Sequence, residues 1–333
     1  MEPIKKKIVF VIMFVLTLGV QGQDIHFSSV GFNPMFYNPA MTGFMNSKFR
    51  VSTIYRNQWQ TVSRGYNTFF ASFEAQPYTS LDNSFGIGCG IGFTSDVAGS
   101  LSFGEKDIAV SVSSFFALDR DNKNYISIGV QGCSKGWGMD LSNAEFNNQG
   151  SYDDNITYES LNTYDFSLGI SFQSAKDENH LFSTSVALFH INTPQLSRFE
   201  NGEVYLHRRL FSNISYTFPL KDERLLFNPQ VFYQHQHNFN EILFGGDLLI
   251  KLKDAIFTTE ILTIGMYVRN FESVVITPKF KYNNFMAGVA YDVNLSKLSK
   301  VSKTYGAFEF WLSYAFNPMY QRQKQTKIPC PIF

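Results

Sequence analysis

The segment FGIGCGIGF, residues 85 to 93, alternates apolar residues and glycine without exception. A β-strand directs successive side chains to opposite faces, so every second residue shares a face. The odd positions therefore form an apolar face. The even positions, Gly86, Gly88, Gly90 and Gly92, form a face without side chains. The segment predicts a strand with one face suited to an apolar environment and one face that another part of the chain can approach closely.

The same two-residue period recurs along the chain, while no stretch of useful length shows the 3.6-residue period of a helix. The recurring segments are DIAVSVSSFF (107–116), YISIGVQG (125–132), YDFSLGISFQ (164–173), LFSTSVALFHI (181–191), FKYNNFMAGVAYDV (280–293) and GAFEFWLSYAF (306–316). The chain is therefore predicted to be all-β.

Alternation alone fits both a secreted β-sandwich and a membrane barrel. Strand length favours the barrel, because spanning strands need about 9–11 residues whereas ordinary strands average about five or six. Aromatic residues also cluster near the strand ends, as they do at membrane interfaces. Short polar turns are predicted at 119–124, 174–179, 221–224 and 251–254, and longer connections at about 94–105, 139–162, 192–207 and 294–304. We predict a transmembrane antiparallel β-barrel of about fourteen strands, with the sandwich as the alternative.

The chain begins with the layout of a secretory signal peptide. Lys5 to Lys7 precede an apolar run from Ile8 to Val20, which is too short to span a bilayer comfortably. A single membrane anchor is the alternative. We predict four parts, with both ends of the mature chain in the periplasm. They are a signal peptide (1–22), a luminal or periplasmic segment (23–46), the barrel (47–316) and a periplasmic tail (317–333).

The mature part opens with two Asn-Pro pairs in FNPMFYNPAMTG, residues 32 to 43. Proline fixes φ, removes a backbone donor and restricts the residue before it, so this stretch cannot lie inside a helix or a central strand. We expect residues 24–45 to fold into the barrel lumen, where their aromatic side chains find a core near the glycine face. Alternatively, the glycines only relieve crowding where the strands curve. The candidate luminal residues are Asn33, Pro34, Phe36, Tyr37, Asn38, Pro39, Gly86, Gly88, Gly90 and Gly92.

Composition restricts the possible partners. Charged residues make up 17% of the chain with a formal net charge of zero, which argues against a nucleic-acid partner. Few charges are expected on the inward faces of the strands. The three cysteines, Cys89, Cys133 and Cys330, are an odd number without CxxC spacing, so they predict no disulfide framework. A single disulfide pair is the alternative.

Motifs for catalysis or metal binding are absent from the sequence. His235 and His237 share one face of a strand, but no residue at a suitable spacing supplies further ligands. The sequence contains no GxSxG and no phosphate-binding glycine loop. We predict no catalytic residue, no metal site and no cofactor, so the chain is not expected to be an enzyme.

The predicted outer loops carry aromatic and arginine residues, which suit protein recognition but are also ordinary loop residues. The candidate partner-binding residues are Trp59, Arg64, Tyr66, Tyr152, Tyr158, Arg198, Phe199 and Tyr205.

Several short segments, together with the two Asn-Pro pairs, form a characteristic ordered set along the mature chain. They include QDIHFS (23–28), RVSTIYRNQW (50–59), LHRRLFSNISYTF (206–218), YDVNLSKLS (291–299), GAFEFWLSYAF (306–316) and CPIF (330–333). This ordered set resembles the PorP/SprF proteins of the type IX secretion and gliding machinery of Bacteroidota. The resemblance covers essentially the whole mature chain. Ile332 departs from it, because a basic residue is more usual there.

The resemblance implies a barrel embedded in outer-membrane lipid, without enzymatic activity. It implies that the barrel binds, helps to export or anchors a large secreted surface protein, such as an adhesin with a C-terminal sorting domain. It also implies periplasmic partners from the type IX system, including peptidoglycan-associated components. The alternative is a porin or small-solute transporter, which would need an open polar lumen.

Overall fold

The computed structural model describes residues 24–29, 31–58, 65–99, 103–140, 158–196, 204–255, 258–295 and 305–318. Within these ranges, no helix combines the length and the apolar character needed to cross a membrane. The helical residues include one short α-helix, α1 (Pro34–Tyr37), and the 3₁₀ turn Pro39–Met41.

Fourteen antiparallel strands form a closed barrel, in which each strand pairs with its sequence neighbours and β1 pairs with β14. The strands are β1 (Phe49–Gln58), β2 (Tyr66–Thr79), β3 (Phe85–Ala98), β4 (Phe103–Ala117), β5 (Asn124–Asp140), β6 (Tyr158–Asp177), β7 (His180–Phe189), β8 (Arg209–Pro219), β9 (Leu225–Gln236), β10 (Phe239–Ala255), β11 (Thr258–Arg269), β12 (Ser273–Tyr282), β13 (Phe285–Asn294) and β14 (Tyr305–Phe316). The predicted barrel and its strand number are confirmed, and the sandwich is excluded.

The strands place apolar side chains outward and polar ones inward, opposite to a water-soluble protein. In β4, Ile108 and Val110 are 52% and 53% exposed, whereas Ser111 and Ser113 on the other face are buried. Because each backbone group pairs with a neighbouring strand and closure leaves no edge, such a wall can face hydrocarbon.

The two ends of the barrel differ in their connections. The short-turn end carries the links 80–84, 118–123, 178–179, 220–224, 256–257 and 283–284. The long-loop end carries 59–65, 99–102, 141–157, 190–208, 237–238, 270–272 and 295–304, of which several are short. Several predicted connections are shorter in the structure, and one is wrong. Residues 94–98, 103–105, 158–162 and 174–177 are strand, with Ala98 paired to Phe103. Strand β10 continues through the predicted turn 251–254.

The described residues between 24 and 45 (24–29 and 31–45), called the luminal segment below, fill the interior. Phe27, Phe32 and Tyr37 join Trp311 and other inward wall residues in one buried cluster. The backbone N–H of Asp24 donates to Gln236 at the long-loop end, and the N–H of Lys48 donates to Asn317 at the short-turn end. Asp24 and Asn317 therefore lie at opposite ends of the barrel. The predicted location of both termini in the periplasm concerns residues outside the described ranges.

Candidate functional site in the barrel lumen

Each Asn-Pro pair begins a short helical turn. The carboxamide oxygen of Asn33 accepts from the N–H of Phe36 at 3.2 Å, and that of Asn38 accepts from the N–H of Ala40 at 2.8 Å. Asparagine is a favourable N-cap, and proline suits the first helical position because its φ is preset and no donor is lost. The two pairs thus fold the luminal segment into two compact turns.

The same two asparagines tie these turns to the wall. The side-chain nitrogen of Asn33 donates to the hydroxyl of Ser72 at 2.5 Å. That of Asn38 donates to the carbonyl oxygens of Ile170 and Val186, each at 3.1 Å. Each asparagine therefore uses its oxygen for the local turn and its nitrogen for the barrel.

Inward hydroxyl groups of β4 and β5 hold the second turn. The Thr42 and Ser111 hydroxyls are 2.7 Å apart, and the Ser113 hydroxyl donates to the carbonyl of Thr42 at 2.5 Å. The Ser127 hydroxyl donates to the carbonyl of Ala40 at 2.7 Å. Each such bond contributes about 0.5–1.5 kcal/mol net, and each also avoids leaving a buried polar group unpaired.

Aromatic contacts form the apolar part of the luminal segment. The ring of Phe27 meets Phe32 and Phe36 edge-on, with centroids 5.7 Å and 5.0 Å apart. Tyr37 stacks on Phe211 of β8 at 5.2 Å. Aromatic pairs contribute about 0.5–1.5 kcal/mol beyond their buried area. These rings therefore hold the segment against opposite parts of the wall.

The glycine face of β3 lies against the luminal segment. A Cβ atom at Gly88 would lie 2.1 Å from the carbonyl oxygen of Thr42, and one at Gly90 would lie 2.7 Å from the sulfur of Met35. Real Cβ atoms do not approach other atoms so closely. Position 88 therefore requires glycine, because the Thr42 carbonyl is backbone, whereas a side chain at position 90 would displace the flexible Met35. A Cβ atom at Gly92 would instead lie 3.1 Å from a ring carbon of Phe70 in β2.

Two further glycines, which the sequence did not single out, continue this contact surface. A Cβ atom at Gly129 would lie 2.4 Å from the carbonyl carbon of Pro39, and one at Gly169 would lie 1.9 Å from the side-chain oxygen of Asn38. Gly86, by contrast, faces the ring of Phe115 from the neighbouring strand.

The expectation of few inward charges is wrong. The buried charged residues include Arg50, Arg56, Glu74, Asp107, Lys135, Asp165, Arg209, Glu241, Asp247, Asp292 and Glu309. Opposite charges pair with one another, as in the two-bond contact of Arg50 with Glu74 at 2.9 Å and 2.7 Å. The lumen is therefore polar, and its charged groups mostly pair with one another rather than lining an open channel.

One such network surrounds Ser28 at the start of the luminal segment. The Glu309 carboxylate accepts from the backbone N–H of Ser28 at 2.6 Å and also from Arg56. Asp292 accepts from the Ser28 hydroxyl and from Arg269, both at 2.7 Å. Two guanidinium groups and two carboxylates thus converge on one serine and fix the segment to β1, β11, β13 and β14.

A second network holds Asp24 at the long-loop end. The Nδ1 of His190 lies 2.9 Å from Asp165, and its Nε2 lies 2.5 Å from Asp24. The Nε of Arg209 is 3.2 Å from Asp24, and its guanidinium group lies 4.2 Å from the ring centre of Phe189. Because both imidazole nitrogens face a carboxylate, His190 carries both protons and a positive charge.

The pKa values of Asp24 and His190 are shifted in opposite directions. Burial alone would raise the pKa of Asp24, but the charges of His190 and Arg209 outweigh burial and hold it well below its usual range. Burial alone would lower the pKa of His190, but Asp24 and Asp165 raise it above its ordinary 6.5. Both shifts favour the ionised form of the pair.

The candidate partner-binding residues are only partly described. Tyr66 begins β2 and Tyr205 forms an isolated bridge with Gln195, and both tyrosines are exposed at the long-loop end. Tyr158 begins β6. The other candidates lie outside the described residues: Trp59, Arg64, Tyr152, Arg198 and Phe199.

The histidines considered for metal binding have other contacts. His235 lies 2.8 Å from the side-chain oxygen of Asn240, and the ring of His237 stacks on His207 at 4.0 Å. In the described part of the chain, no three His, Cys, Asp or Glu side chains are placed to hold a metal ion. Cys89 and Cys133 are free thiols, and Cys330 lies outside the described ranges.

Sequence patterns do not reveal the cluster of Asp24, Asp165, His190 and Arg209. Asp24 and His190 are separated by 166 positions, and no local spacing links them. A weak signal exists, because Asp165 occupies an inward position of a strand whose outward positions are apolar. A charge on an inward face indicates a partner across the lumen without naming it.

Comparison with known proteins identifies a family whose model matches most of the chain. A family model described as type IX secretion system membrane protein PorP/SprF matches residues 19–314. No match was found among curated proteins.

Solved structures with a similar fold are outer-membrane barrels. The TodX deltaS2S3 mutant monoaromatic hydrocarbon channel has 10% identity and a TM-score of 0.50, covering 85% of this chain and 94% of that one. The toluene transporter TbuX of Ralstonia pickettii has 12% identity and a TM-score of 0.48, covering 86% and 94%. BamA of Haemophilus ducreyi, lacking POTRA domains 1–3, has 8% identity and a TM-score of 0.42, covering 81% and 70%. At these identities the likeness concerns the fold alone.

Proposed function

Because the chain belongs to the PorP/SprF family of type IX secretion system membrane proteins, we propose that it is a non-enzymatic outer-membrane barrel that binds, helps to export or anchors one secreted surface protein. The partner is a large adhesin-like protein with a C-terminal sorting domain. The barrel acts by binding partners at its two ends rather than by passing solutes through its lumen.

The filled lumen is the observation that carries this proposal. The luminal segment packs against the inward faces of the wall and is bonded to several strands from the long-loop end to the short-turn end. Two cavities beside it measure only about 70 Å³ and 20 Å³. A barrel filled in this way is better suited to holding a partner at its rim than to passing solutes.

The two ends suit different partners. Outer-membrane barrels usually have short turns on the periplasmic side and longer loops outside. The long-loop end, with Tyr66 and Tyr205 exposed, then meets the secreted protein. The short-turn end and residues 317–333 meet periplasmic components of the secretion system, including peptidoglycan-associated ones.

Native purification from outer membranes tests the proposal directly. A tag is inserted in connection 141–157, and the captured proteins are identified by mass spectrometry. We expect one large secreted protein with a C-terminal sorting domain, together with periplasmic type IX components. A pure barrel without any such protein, under conditions in which the type IX system is active, would contradict the proposal.

Loop substitutions test where the partner binds. Replacing Tyr152, Tyr158, Arg198 and Phe199 together by alanine should strongly reduce partner capture, because aromatic and arginine side chains supply most of the energy of such interfaces. The matched control variant replaces Asp119, Arg120 and Asp121 in the short turn 118–123 by alanine. It should capture as much of the secreted partner as the wild type. Heat-modifiable migration checks that both barrels are folded. Equal capture by the two variants would reject the loop assignment.

A further inference from the structure

A cavity of about 70 Å³ lies beside the luminal segment near the long-loop end. One buried water molecule needs a cavity of about 10–15 Å³, so this cavity has room for a larger group. Met35, Phe36, Phe70 and Phe189 form its apolar side. The remaining wall comes mainly from inward residues of β4, β5, β6 and β8.

Charged side chains on the other side of this cavity do not balance. Seven acidic and basic side chains line it: Asp24, Glu105, Asp107, Asp165, Lys135, His190 and Arg209. With all seven ionised, four negative groups face three positive ones. Either a proton held by Glu105 and Asp107 or a bound cation supplies the missing positive charge.

Two aspartate oxygens in the cavity wall have neither a hydrogen bond nor an ion pair. Lys135 binds one oxygen of Asp107, and His190 binds one oxygen of Asp165, which leaves the Oδ1 atom of each aspartate unpaired. The two residues are only 6% and 3% exposed. An unpaired buried carboxylate oxygen is unfavourable, so both atoms point to a missing donor.

The chemistry of the wall specifies that donor. Aromatic faces attract organic cations, and the cavity already contains one such contact, with Arg209 over the ring of Phe189 at 4.2 Å. We propose that the cavity binds the guanidinium or ammonium group of an organic cation, which supplies the missing charge and donates to Asp107 and Asp165. The cation is a free small molecule or a basic side chain of a polypeptide at the long-loop end.

Titration of the purified barrel in detergent tests this site without the secreted partner. The probes are N-acetylarginine amide, methylguanidinium and the neutral analogue N-acetylcitrulline amide, followed by calorimetry. The arginine probe should bind at least about tenfold more tightly than the citrulline probe, because hydrogen bonds between charged groups are the strong ones. If methylguanidinium binds as tightly as the arginine probe, the natural ligand is a free small cation. If methylguanidinium binds more weakly, the natural ligand is a basic side chain of a polypeptide. Equal binding of the arginine and citrulline probes would overturn the proposal. It would indicate that a proton shared by Glu105 and Asp107, rather than a bound cation, balances the charges of the cavity.

Two matched variants locate the binding. Asp107→Asn removes the excess charge but keeps the shape, and Lys135 retains Glu105. Asp247→Asn is the control, because Asp247 is also buried, also paired with a lysine and also has one unpaired oxygen, but lies outside this cavity. We expect at least about a tenfold loss of arginine-probe affinity in the first variant and none in the second. Unchanged affinity in Asp107→Asn would refute the site, and the wild-type comparison of probes stands if that variant fails to fold.

Discussion

Single atoms decide how closely the luminal segment approaches the wall, and Gly129 is the sharpest case. Gly129→Ala places a methyl group 2.4 Å from the carbonyl carbon of Pro39, which is backbone and cannot rotate away. The segment or β5 must shift, at a cost of about 1–3 kcal/mol. We expect a lower thermal unfolding temperature and faster proteolysis of the luminal segment.

Gly132→Ala is the control for this prediction. It lies in the same strand, but the nearest atom to its added methyl group is a ring carbon of Phe166 at 3.7 Å, an ordinary contact. The unfolding temperature should change little. Equal losses in the two variants would mean that strand propensity, rather than close approach to Pro39, makes glycine necessary in β5.

The ion pair of Asp24 with His190 makes a pH-dependent contribution to stability. The lowered pKa of Asp24 means that its contribution is present above its ordinary value of 3.8 and is lost as the pH falls. The raised pKa of His190 means that its contribution is complete below 6.5 and is lost as the pH rises through the raised value. The pair is therefore most stabilising in mildly acidic solution.

His190→Gln should remove this dependence. The unfolding temperature of the wild type should exceed that of the variant most between about pH 4 and 6.5, and the difference should shrink as His190 loses its proton at higher pH. Thermal unfolding of both proteins across this range and up to pH 9 measures the difference. A difference that grows with pH would show that His190 is neutral in the folded barrel.

At the scale of elements, the luminal segment depends on its two asparagine caps. Replacing Asn33 and Asn38 together by alanine removes both caps and their bonds to β2, β6 and β7. A lost cap costs about 1 kcal/mol, before the wall contacts are counted. We expect protease cleavage within residues 24–45 while heat-modifiable migration persists.

The control for the caps is a second asparagine pair on the barrel. Asn57 and Asn67 bond to each other across β1 and β2 where both are solvent-accessible. Their replacement by alanine should leave the luminal segment as protected as in the wild type. Equal protection of the cap variant would show that aromatic packing alone holds the segment in place.

Strand identity was predictable from sequence, but strand ends were not. The alternation in 85–93 and 107–116 identifies β3 and β4, because an inward and an outward face differ in polarity along the whole wall. Residues 94–98 and 103–105 contain polar and charged side chains and therefore resemble a loop. They are strand because an inward face is polar and its backbone ladder continues, with Asp96 opposite Glu105. Polarity alone cannot separate these cases.

At the scale of the whole molecule, the same limit applies to the lumen. The Asn-Pro pairs and the glycine face could be recognised because each is a local pattern. The charge pairs could not, since Ser28 meets Glu309 and Asp24 meets His190 only after fourteen strands have closed. The sequence shows which charged residues point into the lumen, whereas barrel closure determines which of them pair with one another.

Ion conductance tests whether the closed barrel works by holding partners or by passing solutes. Wild-type protein in planar bilayers should show no steady conductance, because the luminal segment is bonded to wall residues such as Ser72 and Ser111. The combined Asn33→Ala and Asn38→Ala variant should conduct, at least intermittently, because its segment is less firmly held. Cross-linking Thr42→Cys to Ser111→Cys in a wild-type background should keep the barrel closed without reducing partner capture. Steady, ion-selective conductance of the wild type would instead favour a small-solute transporter, because ions could then pass although the luminal segment is present.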